Sequence, residues 1–194
     1  MPGIKDVASE FEAFTRSLSD ERQELIESIS SLNNGFEGWL KLEFYFWLIK
    51  NRQLRASRTD EEHDIGMEYK VALDQRHAAM DRQTKQCDLW IRDHDGSGYH
   101  FVELKAPFAN TNQGKVMQSA ADDLWYMSRL KAGSEKVVSG SSILLGVGFD
   151  AEGWNQHIDY LSTHSGKPAG NLSVQSGTID EQGHIRWAAL VTRY

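Results

Sequence analysis

Two carboxylates and an amine fall close together near the middle of the chain. Asp88 lies in one apolar run, and Glu103 and Lys105 lie in a second run that alternates between apolar and charged residues. An alternation with period two is typical of a strand and places Glu103 and Lys105 on one face. The residues between the runs, 93–98, are rich in Asp and Gly, which favours an antiparallel hairpin. In that hairpin the two acids lie side by side, where they could bind a divalent cation while Lys105 stabilises negative charge.

These residues resemble the signature of the PD-(D/E)XK nuclease superfamily. The signature is an acid on one strand, a spacer, and then an acid, any residue and a lysine on the next strand. Here Asp88 is followed, after fourteen intervening residues, by Glu103, Leu104 and Lys105. The resemblance extends over roughly residues 36–149. It implies a metal-dependent nuclease that hydrolyses phosphodiester bonds in nucleic acid, DNA ahead of RNA, with Mg²⁺ or Mn²⁺ as cofactor.

The resemblance also implies a role for each residue of the signature. The metal ligands would be the carboxylates of Asp88 and Glu103 and the backbone carbonyl of Leu104, because hard cations prefer oxygen. Lys105 would lie about 6.6 Å along the strand from Glu103, at a rise of roughly 3.3 Å per residue. Its side chain would then position the attacking water and stabilise charge on the phosphate.

Glu43 is a further candidate catalytic residue and metal ligand. It stands at helical spacing with three apolar residues, Phe36, Leu40 and Trp47, so its carboxylate lies within an apolar face. A carboxylate there must be paired, solvated in a cleft or bound to a cation. Members of the superfamily often carry a glutamate on the helix before the first core strand, and Glu43 resembles it. The alternative is a structural ion pair with an Arg or Lys.

Gln118 completes the catalytic residues that the resemblance suggests. It lies on a helix predicted from about Gln113 to Lys131. Relatives often carry a glutamine on this helix, facing the active site, with a tyrosine four residues later. Here Asp122 takes that later place, so half of the pattern is present.

A second tripeptide of the same form, Glu68-Tyr69-Lys70, lies in a strand predicted from Ile65 to Leu73. The odd-numbered residues of this strand are apolar and are expected to share one face. The polar residues 60–64, which precede it, indicate a loop rather than an acidic strand. We therefore favour the later copy, with Glu68 lining the same cleft from a neighbouring strand.

Basic residues outside the hairpin are candidates for contacts with phosphates. They come from the run that follows the Glu43 helix and from the polar segment 74–86. The candidates are Arg52, Arg55, Arg58, Arg76, Arg82 and Lys85. Alternatively, the run is a solvated helix end, where the dipole favours cations, and the segment only connects two strands.

The predicted elements indicate an α/β (α+β) fold with a restriction-endonuclease-like core, in which helices flank a central mixed sheet. Residues 1–34 are expected to form a helical extension, with helices over 5–16 and 21–29. Residues 36–149 supply a helix, three strands, a helix and a strand, and residues 150–194 add a helix and a C-terminal hairpin. A chain of 194 residues, 40% of them hydrophobic, fits one domain.

Composition limits the partners of the chain. The net charge of −7 disfavours indiscriminate coating of nucleic acid, so positive charge must be gathered around one cleft. The single Cys87 excludes an intramolecular disulfide, and its apolar neighbours predict an inert buried thiol. No apolar run is long enough to span a membrane and the N-terminus lacks a signal-peptide pattern, so we expect a cytoplasmic protein without a membrane partner.

The same sequence features are also compatible with a second function, from another class. A non-catalytic module could use the same fold to bind nucleic acid or another protein, with the acids and lysines as a structural ion-pair network. Geometry discriminates the two functions. In the enzyme, Asp88 and Glu103 lie within reach of a common metal, whereas in the binding module they pair with Arg or Lys. Enzymes of this type often act as homodimers, and no residue of this sequence identifies an interface.

Overall fold

The computed structural model describes most of the chain. The described residues are 2–194 without 23, 26, 27, 29–35, 57–62, 77–80, 110–112, 132–135 and 165–170. Of the second helix predicted for the N-terminal extension, over 21–29, residues 23, 26, 27 and 29 lie outside them. Arg58 also lies outside the described residues.

Four helices flank the sheet in the described part of the chain. They are α1 (Val7–Glu21), α2 (Glu37–Arg52), α3 (Gln113–Met127) and α4 (Ala151–His164). The carboxylate of Asp6 fixes the start of α1, because it accepts a hydrogen bond from the backbone N–H of Ser9 at 2.9 Å. None of these four helices combines the length and the apolar character that crossing a membrane requires.

Six strands form one mixed sheet. They are β1 (Ile65–Ala72), β2 (Thr84–Arg92), β3 (Tyr99–Lys105), β4 (Val137–Val147), β5 (Asn171–Thr178) and β6 (Ile185–Arg193), in the spatial order β1-β2-β3-β4-β6-β5. Neighbours are antiparallel except β3 and β4, which are parallel and are connected through α3. The predicted fold class, the central hairpin β2–β3 and the C-terminal hairpin β5–β6 are confirmed. β4 begins before the predicted Ser142, because its first residues include small polar side chains that are nevertheless buried.

Helices cover both faces of the sheet. Along β4, Ile143 and Leu145 pack with residues of α1 and α2, whereas Leu144 between them packs with residues of α3 and α4. β6 shows the same alternation, with Trp187 on the first face and Ala188 on the second. The sheet therefore lies between two helical layers, and a residue at its edge can meet side chains from either layer.

The single apolar face predicted for the odd-numbered residues 65–73 is wrong. Ile65 packs with the α1 and α2 layer, but Val71 packs on the opposite face, and Tyr69 between them is 41% exposed. The physical reason is the backbone of Glu68, which has a φ of 57° in the left-handed region. A left-handed residue interrupts the pleat, so the two halves of β1 present opposite faces.

Gly140 sets the position of α3 over the sheet. A Cβ atom at Gly140 would lie 2.1 Å from the carbonyl oxygen of Met127, the last residue of α3. The same carbonyl accepts a hydrogen bond from the hydroxyl of Tyr194 at 2.9 Å. The end of α3 is therefore held against β4 by a backbone approach that only glycine permits.

Replacing this glycine should weaken the fold. In Gly140→Ala the new methyl group meets a backbone atom, which cannot rotate away, so we expect a loss of about 1–3 kcal/mol in the free energy of unfolding. Gly38→Ala is the matched control. Gly38 lies in α2 with nothing within 4 Å of the added Cβ, and this change should stabilise the protein by roughly 0.5–1 kcal/mol. Urea denaturation measures both, and equal stability of Gly140→Ala and wild type would contradict the close approach.

Candidate active site

β2 and β3 separate at the residues that the sequence singles out. The two strands pair from Arg92 and Tyr99 to Leu89 and Val102. Beyond that point residues 84–87 continue to pair with β1, while residues 103–105 pair with β4. We call this divergence, formed by residues 84–88 of β2 and 103–105 of β3, the fork.

Asp88 lies where β2 and β3 begin to separate, and its carboxylate contacts both β3 and α2. One carboxylate oxygen, Oδ2, accepts a hydrogen bond from the backbone N–H of Leu104 at 2.8 Å, and the other, Oδ1, accepts one from the Lys41 ammonium at 3.0 Å. Packing changes faces here, since Cys87 packs with α3 residues and Leu89 with the α1 and α2 layer. The Asp88 carboxylate thus replaces the missing strand pairing and fixes its own position beside β3.

Glu103 lies deeper in the fork and is only 7% exposed. Its Oε1 lies 3.0 Å from the Lys85 ammonium and 3.7 Å from the Lys105 ammonium. Its Oε2 is buried and has no hydrogen-bond partner among the described residues. Burial, followed by repulsion from the carboxylates of Asp88 and Asp123, raises the pKa of Glu103 to about 7, although Lys85 opposes the shift.

Lys105 and Lys85 both bind Asp123, which projects from α3. The Lys85 ammonium lies 2.8 Å from Asp123 Oδ1, and the Lys105 ammonium lies 3.1 Å from Asp123 Oδ2. Lys105 also lies 3.6 Å from Glu37 of α2. Burial alone would lower the pKa of Lys105, but the surrounding acids, Asp123 first, raise it instead. The lysine of the signature is therefore held as a cation by residues from both helical layers.

Within the part of the chain that the structure describes, the charged cluster contains five acids and three lysines. Its members are Glu37, Lys41, Glu68, Lys85, Asp88, Glu103, Lys105 and Asp123. Glu68 enters through its contact with Lys41, as expected for a residue that lines the same cleft from the neighbouring strand. With more carboxylates than ammonium groups, the cluster has an excess of negative charge and would attract a further cation.

Sequence reasoning missed Glu37, Lys41 and Asp123. Glu37 and Lys41 are four residues apart on α2, a spacing that places them on one side of a helix. Asp123 stands between the buried residues Ala120 and Met127 at helical spacing, within an apolar stripe. An acid inside an apolar stripe is a signal that the sequence contains at both Asp123 and Glu43. The prediction used it for Glu43, and the structure places Asp123 in the cluster.

Glu43 and Gln118 do not join the cluster. The buried residues of α2 include Leu40, Phe44 and Leu48, so the apolar face is rotated from the predicted one and Glu43 projects to its side. There Glu43 accepts a hydrogen bond from Arg22 at 3.1 Å, which matches the alternative of a structural ion pair. Gln118 donates to Asp122 at 2.9 Å and accepts from the hydroxyl of Tyr160 at 3.2 Å.

The four predicted phosphate-binding arginines that the structure describes each contact a neighbour in the protein. Their partners are Glu10 for Arg52, Asp64 for Arg55, Asp74 for Arg76, and Asp81 together with the ring of Tyr126 for Arg82. Lys85, predicted to contact nucleic acid, is instead buried in the charged cluster. Arg82 lies over the ring of Tyr126, which follows Asp123 by three residues on α3.

The chain was compared with protein-family models, with curated proteins and with solved structures, and none of them matches. The resemblance to the PD-(D/E)XK nucleases accordingly rests on residues of this chain, chiefly Asp88, Glu103 and Lys105. No group of three or more Asp, Glu, His or Cys side chains that could hold a metal ion occurs among the described residues. In the fork, lysines separate the carboxylates.

The raised pKa of Glu103 predicts a pH dependence of stability. The unfolded chain loses this proton near pH 4.5 and the folded protein near pH 7, so between them the folded state holds more protons and stability falls as pH rises. We expect a loss on the order of 2–3 kcal/mol from this group over that range. Urea denaturation in chelator should show a shallower decline for Glu103→Gln.

Glu181→Gln supplies the control for this measurement. Glu181 is an exposed acid in the turn between β5 and β6, so its removal should leave the pH dependence of wild type unchanged. If Glu103→Gln declined as steeply as wild type between pH 4.5 and 7, Glu103 would not be the group that holds the proton.

Proposed function

We propose that this protein is a metal-dependent nuclease that hydrolyses phosphodiester bonds, with DNA as the first substrate to test. The observation that carries the proposal is the hydrogen bond between the Asp88 carboxylate and the Leu104 N–H. Leu104 separates Glu103 from Lys105, so this bond brings both acids and the lysine of the signature to one place. At this position β2 and β3 diverge, so the two strands are not hydrogen-bonded to each other there.

The oxygen donors in the fork are of the type that Mg²⁺ and Mn²⁺ prefer, and Asp88 and Glu103 must leave their lysine partners to converge on one ion. The buried Oε2 of Glu103 has no partner among the described residues, and the neighbouring carboxylates repel it. A cation bound there would remove both penalties. Asp88, Glu103 and the carbonyl of Leu104 would hold it, with Glu37 rather than Glu43 as the acid from the helix. A bound divalent ion supplies an activated water and offsets charge on the leaving oxygen.

Lys105 would act on the substrate directly. Its contacts with Asp123 and Glu37 hold the ammonium charged and limit its movement. From this position it can donate a hydrogen bond to the attacking water or to a phosphate oxygen. Arg82, which lies over the ring of Tyr126 on α3, is a candidate to contact the flanking phosphates.

One observation favours the second candidate, a non-catalytic binding module. Asp88 already accepts a hydrogen bond from Lys41, and Glu103 is already paired with Lys85. This pairing satisfies part of each carboxylate without a metal, as expected for a structural ion-pair network. In this alternative the charged cluster holds the fold together, and recognition uses other surfaces of the protein.

Cleavage assays separate the two functions. Wild type should cut single- or double-stranded DNA or RNA only with Mg²⁺ or Mn²⁺. Glu103→Gln and Lys105→Met should each reduce the rate by at least about 100-fold, because both lose groups that stabilise the transition state. Lys70→Met, which removes an exposed charge from the same sheet, should cleave like wild type. Binding of the same nucleic acids without metal-dependent cleavage would support the binding module instead.

The acid from α2 can be identified in the same assay. Glu37→Gln should lower the rate because Glu37 contacts Lys105, whereas Glu43→Gln should not, because Glu43 pairs with Arg22 away from the fork. Loss of cleavage in Glu43→Gln but not in Glu37→Gln, with both variants folded, would reverse this assignment.

A further inference from the structure

Lys85 is a buried cation to which the proposed chemistry assigns no role. It lies on β2 at the inner side of the fork and is only 7% exposed. Its ammonium contacts Glu103 Oε1 at 3.0 Å and Asp123 Oδ1 at 2.8 Å. It is thus held between carboxylates that come from β3 and from α3, and one of these is the central acid of the signature.

The position of this ammonium is one that a metal ion would also favour. Both sites need two or more anionic oxygens that converge from different elements. The ammonium group keeps its oxygens near 2.8–3.0 Å, whereas Mg²⁺ draws them to about 2.0–2.1 Å. The Lys85 ammonium occupies the space between Glu103 Oε1 and Asp123 Oδ1, so a metal ion that binds these same two oxygens must displace it.

We propose that Lys85 is the resident cation of the charged cluster and competes with a divalent metal for Glu103 and Asp123. Metal enters when the Lys85 ammonium withdraws, and Asp123 then becomes a metal ligand from α3. This inference rests on the proposed function, because it concerns how the same site is regulated. It also accounts for both observations in the fork, the excess of carboxylates and their pairing with lysine.

The neighbouring lysine allows the carboxylates to stay in place when Lys85 withdraws. Lys105 contacts Asp123 through Oδ2 at 3.1 Å and Glu103 at 3.7 Å, so both acids retain a cation. The Glu103 Oε2 atom, buried without a partner among the described residues, is the second oxygen available to the entering metal.

Metal binding by the whole chain tests this competition without any measurement of activity. Mn²⁺ affinity is measured by calorimetry and by electron paramagnetic resonance for wild type, Lys85→Met and Lys85→Arg. Methionine fills the space of the lysine stem without its charge, so Lys85→Met should bind Mn²⁺ at least about tenfold more tightly. Lys85→Arg keeps the competing cation and should bind no more tightly than wild type.

Two further measurements test whether the effect on Mn²⁺ affinity is local to Lys85. Lys70→Met removes an exposed positive charge from β1, and it should change Mn²⁺ affinity far less than Lys85→Met if the effect is local. Lys85→Met should melt at a lower temperature than wild type in chelator, because Glu103 and Asp123 lose a partner, and saturating Mn²⁺ should recover that loss. If Lys85→Met does not fold, Lys85→Gln replaces it.

The failures of the two proposals can be told apart. If wild type binds Mn²⁺ and the folded Lys85 variant binds it no more tightly, the competition is overturned and the metal-dependent nuclease stands. If neither protein binds Mn²⁺ at millimolar concentration, both proposals fall. If the variant alone binds Mn²⁺, the competition is supported and wild type is a site closed by its own lysine.

Discussion

The burial of Glu103 is the constraint on which the rest of the site depends. A carboxylate taken out of water must be matched by cations or hydrogen bonds, and here two lysines from different strands contact it. Those lysines in turn require Asp123 from α3 and Glu37 from α2. Both helical layers are therefore held at the fork by charge as well as by apolar packing.

The fork itself depends on two adjacent irregularities. Glu68 has a left-handed backbone, and Asp88, in the neighbouring strand, lies where packing changes from one face of the sheet to the other. With regular pairing, Glu68 and Asp88 would be partners in the β1–β2 ladder. Instead the Asp88 carboxylate accepts a hydrogen bond from the N–H of Leu104, and the Lys41 ammonium contacts both Asp88 and Glu68. Backbone strain in non-glycine residues is often concentrated at functional sites, and Glu68 is such a residue.

Local pattern was sufficient to predict the central hairpin and the proximity of Asp88, Glu103 and Lys105. Period-two alternation, turn residues and the spacing of the acids are all properties of short segments. The same reasoning failed for Glu43, because a helix with aromatic residues on several sides does not reveal which face it buries. It failed for β1, because a single left-handed residue is invisible in the apolar pattern.

The members of the charged cluster that the sequence did not predict depend on contacts between distant segments of the chain. In the sequence, Lys85 does not differ from the other polar residues of segment 74–86. It becomes a buried cation because β2 packs beside β3 and α3, which supply Glu103 and Asp123 as its partners. Asp123 carried a usable signal, an acid in an apolar stripe, but its partners lie on strands far away in the chain. The identity of a charged residue suggests chemistry, whereas its partners are known only when the layers are assembled.

The parallel pairing of β3 with β4 has a consequence for how the protein folds. The β2–β3 hairpin joins neighbouring segments and can close early, but β4 can pair with β3 only after the chain has passed through α3. Contacts of long sequence separation are slow to form, since the loop between them must first lose its entropy. We therefore expect the desolvation of Glu103 and the lysines to accompany the pairing of β3 with β4 rather than the closure of the hairpin.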